Sequence, residues 1–178
     1  MTDNSIINSG TTVQGLSSGA AALPSGVHIA RRIQTLNRMQ LSIEECAQGL
    51  HSAWVDFQAA KQATDGDIKR LISAGRIHII SALQSLHLIE EVVQVNREPL
   101  IHTYQCLSRC QAYMRKMERI SNALLKHDRS PRQAITLEVL IRACPRASYQ
   151  VENDLGGPIK KARDEIAKMA QPPKSGTA

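Results

Sequence analysis

Residues 27–63 read VHIARRIQTLNRMQLSIEECAQGLHSAWVDFQAAKQA, and the spacing inside this stretch decides the fold. Ile29, Leu36, Ile43, Leu50 and Phe57 recur every seven residues, and Ile33, Gln40, Ala47 and Trp54 follow four later. Such a seam belongs to a helix that lies along a partner helix. No proline interrupts the stretch, and Gly49 is its only glycine. A helix of this span is about 55 Å long at ~1.5 Å per residue. Ser42, between seam positions, is expected on the outer side.

Working outward, Thr64-Asp-Gly-Asp67 breaks the run and offers a capping-box variant, with Thr64 as cap and Asp67 answering it. A second seam follows. Ile72, Ile79, Leu86, Val93, Leu100, Leu107 and Met114 recur every seven residues. Gly75, Ala82, Ile89, Asn96, Thr103, Cys110, Met117 and Leu124 follow three later. The phase survives Glu98-Pro99, so Pro99 either bends one helix or opens another. Length favours a break near Asn96, giving three helices of roughly 30 residues, because a continuous rod of twice that length outgrows a compact domain. Ser130-Pro-Arg-Gln133 is a further start signal. The helix it opens is expected to stop at about Cys144, before Pro145.

Gly156-Gly157 marks residues 145–157 as a loop, and residues 158–170 form a short amphipathic helix with Ile159, Ala162, Ile166 and Met169 on one face. Residues 171–178 are a Pro/Gly/Ser tail expected to be disordered. The fold class is therefore all-α: an elongated, coiled-coil-like helical bundle spanning 27–144, with three long helices and one or two short C-terminal ones. Residues 1–26, rich in Ser, Thr, Gly and Asn, read as a disordered arm. Their composition resembles the uncleaved N-terminal export signals of bacterial injected proteins. That resemblance implies a protein secreted without a cleaved signal peptide.

Composition agrees with helices. Hydrophobic residues make up 42% of the 178, but aromatic residues only 3%. No apolar run approaches the roughly 18 residues needed to span a bilayer. The net charge of +6 is lopsided. Residues 1–96 hold seven Lys/Arg against eight Asp/Glu, whereas 97–178 hold fifteen against eight. Arg115, Lys116, Arg119 and Lys126 lie in the densest basic stretch and could meet phosphate or an acidic protein. Base-stacking rings are missing there apart from Tyr113, so nucleic acid is the less favoured partner. Trp54 and Phe57 read as core anchors near a helix end, or else as an interface hot spot.

His102, Cys106, Cys110 and Met114 stand at steps of four, and all four side chains can bind soft metals. A row of that step drifts around a helix of 3.6 residues per turn. The seam places Cys110 inward, Cys106 on its flank and His102 outward. Cys106 and Cys110 remain as half of a tetrahedral zinc site or a redox pair. Buried cysteine is ordinarily a small apolar group, so packing is the favoured reading and no cofactor is expected. The four cysteines form no secreted disulfide framework, which fits reduced thiols in a cytoplasmic or nuclear compartment. Phosphate-binding glycine loops and the zinc-protease helix motif are absent. The function expected is non-enzymatic protein–protein interaction, as a scaffold, adaptor or subunit of a larger complex. Its partners would be other helical proteins, including copies of itself. The alternatives are the injected protein, a basic nucleic-acid binder, and a soft-metal or redox bundle using Cys106 and Cys110.

Overall fold

The first seam forms α1, Gly26–Gln62, and the second is shared between α2, Asp65–Asn96, and α3, Ile101–Lys126. The computed structural model describes residues 26–96, 101–126 and 131–169; the arm, the tail, Pro99 and Ser130 lie outside them. The last rod comprises α4, Pro131–Gln150, a π-helical turn, Val151–Gly156, and α5, Gly157–Met169. No strand occurs among the described residues, and none of their helices is long and apolar enough to cross a membrane.

The seams define the interior. Leu36, Ile43, Leu50 and Phe57 of α1 are buried, as are Ile72, Ile79 and Leu86 of α2 and Leu107 and Met114 of α3. Each helix packs on two neighbours: α1 on α2 and α4, and α3 on α2 and α4, which closes a four-rod bundle. Because α2 and α3 lie side by side, with Arg76 Nη2 3.0 Å from Glu118 Oε1, they are two helices and not one bent rod. Small residues let α1 and α2 approach closely. A Cβ on Gly49 would stand 3.1 Å from the Ala82 Cβ and 3.2 Å from the His78 carbonyl oxygen. Ser42 is buried, not outward, because a bundle helix has two neighbours and hides a wider arc than a two-helix seam.

The expected cap at α2 takes another form. The Thr64 carbonyl accepts the Asp67 N–H at 3.1 Å, while the Asp67 carboxylate binds Arg70. At the start of α4, Gln133 Nε2 donates to the Leu124 carbonyl at the end of α3, and Ser130 lies outside the described residues.

Residues 145–157 are helical, which corrects the expected loop. Pro145 sits inside α4. It withholds the N–H that would reach the Ile141 carbonyl, a defect worth ~3 kcal/mol in an isolated helix. Burial on both sides outweighs it: Leu140, Cys144, Ala147, Val151, Leu155 and Ile159 are all buried along one side of the rod. Gly156 is an interior residue, since a Cβ there would lie 3.5 Å from Ile43 Cγ2. The π-turn has its cause in Pro158. In a regular α-helix that ring would run into the carbonyl of Asp154, four residues back, and a widened turn accommodates it. Gly157 accordingly donates its N–H to the Glu152 carbonyl, five residues back, and Asn153 Nδ2 donates to the Tyr149 carbonyl at 2.8 Å. The rod runs antiparallel to α1, since Glu138 pairs with Lys61 while Gly156 stands beside Ile43, and α5 then packs on the N-terminal half of α1.

Candidate interaction surface

Cys46, Cys110 and Cys144 are buried, Cys106 is half-buried, and all four are free thiols. Burial pushes the Cys46 thiol up to about 12, helped by Cys110 nearby. Burial also raises Cys110 to about 11, with smaller contributions from Asp154 and Cys106, and raises Cys144 to about 12. Groups so reluctant to ionise behave as small apolar fillers, since metal and electrophiles both take the thiolate. Among the described residues no three His, Cys, Asp or Glu side chains gather as metal ligands. The side chain of His102 lies outside those described.

The two aromatic candidates part company. Phe57 is fully buried between α1 and α2, which removes it from the interaction candidates: its ring fills the space beside Gly75. Trp54 is half-buried, packs against the core, and faces His51 with ring centroids 5.7 Å apart.

Arg115, Lys116, Arg119 and Lys126 are all exposed on α3. Arg115 and Arg119, one turn apart, border a groove of about 370 Å³ between α2 and α3. Ile80 and Leu83 of α2 form its apolar lining, with Gln84, His87 and Glu118 completing it. The acids beside the groove already have partners. Glu118 holds Arg76, half-buried on both sides. Glu90 accepts from Gln111 Nε2 at 3.0 Å and lies 3.3 Å from His87 Nδ1. The Gln111 hydrogen bond, with help from His87 and Arg115, holds the Glu90 carboxyl below its ordinary range. Among the described residues neither Arg115 nor Arg119 makes an ion pair of its own. Lys116 and Lys126 share that condition. Arg115, Arg119 and Lys126 fall on one side of α3 and form a cationic ridge ~16 Å long at 1.5 Å per residue, whereas Lys116 stands about a quarter turn away.

Sequence reasoning located the ridge but missed the groove. The available signal was Ile80, next to the buried seam residue Ile79, and Leu83, one turn from Ile79 and itself buried. Comparison of the chain with family models, curated proteins and solved structures gives no match.

Proposed function

We propose that this is a non-enzymatic helical adaptor whose α2/α3 groove receives an acidic amphipathic helix of a partner protein. One observation carries the reading: Arg115 and Arg119, neither of them in an ion pair among the described residues, stand beside an apolar lining made by half-buried Ile80 and buried Leu83. An amphipathic helix docks by laying its apolar face into such a groove, and acids along its edge complete the ridge. Phosphate backbones would use the arginines and leave the apolar strip unused, which favours protein over nucleic acid. The closed bundle, filled with Leu, Ile, Met and small residues, suits a rigid carrier of such a surface.

The test is binding of a labelled synthetic helix with Leu at i, i+3, i+4 and i+7 and Glu at its edges. The full chain should bind it and should bind a Lys-edged counterpart at least about tenfold more weakly. Reversing charge at Arg115→Glu with Arg119→Glu should abolish the preference. Equal binding of both peptides, or tighter binding of duplex DNA than of the acidic helix, refutes the proposal.

A further inference from the structure

We infer that the opposite flank of α3, its groove with α4, is a second docking site for an acidic amphipathic helix, making the chain bivalent. The position of this groove follows from the ring of helices. Glu118 and Gln111 turn one flank of α3 to α2, so Tyr113 and Ile120, a quarter to a half turn around, lie on the flank toward α4. Both are only partly buried against the core. On α4, Val139 is 50% exposed and Ile135 68% exposed, and helical spacing puts both on the side away from the buried Leu137 and Ile141. Large apolar residues exposed at steps of about one turn on a single helix are what a docked helix covers.

Charge selects the occupant. Lys116 and Arg146 border this flank, and among the described residues neither has an ion-pair partner. The nearby acid, Glu138, is held by Lys61 at 2.7 Å and Arg142 at 3.1 Å and offers no counter-charge. A second copy of the chain would bring the same cations face to face, so self-association through this face is disfavoured. An acid-edged helix satisfies both the apolar stripe and its border. This site goes beyond the α2/α3 groove and stands on different residues, so either can fail alone. A protein with both could bridge two helical segments or hold one partner at two points, with the gain in avidity that a linked second contact brings.

The experiment is titration of the full chain with the same acid-edged peptide, read as bound peptide per chain by sedimentation and calorimetry. Val139→Asp and Arg119→Glu are the variants, and both positions are exposed, so both variants should keep the wild-type helix content and melting temperature. Two peptides should bind the wild-type chain. Val139→Asp should remove one and weaken that site by about tenfold or more, and Arg119→Glu should remove the other. One peptide per chain, lost in Arg119→Glu and unchanged in Val139→Asp, overturns this inference and leaves the α2/α3 reading standing. One peptide lost only in Val139→Asp supports it and overturns the other. No peptide bound overturns both. A concentration-dependent dimer that Val139→Asp dissociates overturns it in favour of a second copy of the chain.

Discussion

Gly75 of α2 faces the ring of Phe57 so closely that a Cβ at position 75 would lie 2.6 Å from its Cε1. The ring is fully buried and cannot swing into solvent. Gly75→Ala should therefore destabilise the bundle by ~1–3 kcal/mol through overpacking, despite the ~1 kcal/mol that alanine gains over glycine in a helix. Combining it with Phe57→Leu should return part of the loss. A denaturant midpoint that rises in Gly75→Ala would show that the helices separate at little cost.

Core seam positions should be sharply distinct from exposed neighbours on the same helix. Ile43→Ala and Leu50→Ala should each cost ~2–5 kcal/mol, since both side chains are buried. Leu41→Ala and Val55→Ala, about half exposed, should stay within ~0.5 kcal/mol of wild type. Equal effects in the two pairs would mean that α1 is rotated about its axis.

That contrast also shows what could be read before any coordinates. Two heptad seams marked Leu36, Ile43, Leu50, Ile72, Ile79, Leu86, Leu107 and Met114 as interior, and all are buried, because a long regular period leaves little choice of face. Ser42 was misjudged because a seam reports one neighbour and the bundle supplies two. Residues 145–157 were misjudged because Pro145 and Gly156-Gly157 are local punctuation, whereas the row from Leu140 to Ile159 is a tertiary signal that outweighs it. The cationic residues of α3 were legible as a cluster. Their groove was not, since Ile80 and Leu83 come from another helix.

Pro145 gives a third expectation. It is exposed and in the middle of α4, so replacing it loses little packing and returns a backbone donor to the Ile141 carbonyl. Pro145→Ala should raise the melting temperature, with a gain of up to ~3 kcal/mol. A lower melting temperature would mean that the rod depends on a bend at this point.

The buried thiols predict an alkaline weakness. Their folded values of about 12, 11 and 12 for Cys46, Cys110 and Cys144 exceed the ordinary 9.0, so the unfolded chain releases these protons first. The stabilisation is complete below pH 9.0 and is lost as pH rises through the folded values. Urea midpoints at about pH 8 and about pH 10.5 should show the fall, and a variant with alanine at all three positions should show a smaller one. Half-buried Cys106 should react first with a thiol reagent. Elemental analysis of protein purified without chelator should find no stoichiometric zinc or copper. One metal per chain, lost in both Cys106→Ser and Cys110→Ala, would overturn the packing reading.

The pairing of α1 with the rod that ends in α5 has a consequence for how the chain is made. Ile43 is synthesised early, yet the Gly156 that packs beside it comes after α2, α3 and α4. Closing so long a loop carries more entropy than forming the neighbouring α1–α2 hairpin. The hairpin should assemble first, with α5 docking late and opening most readily, so its amides should exchange with solvent faster than those around Leu50 and Ile79. During translation the N-terminal half of α1 therefore waits with Leu36, Met39 and Ile43 incompletely covered, and that interval is when the nascent chain is most exposed to chaperones and to its own aggregation.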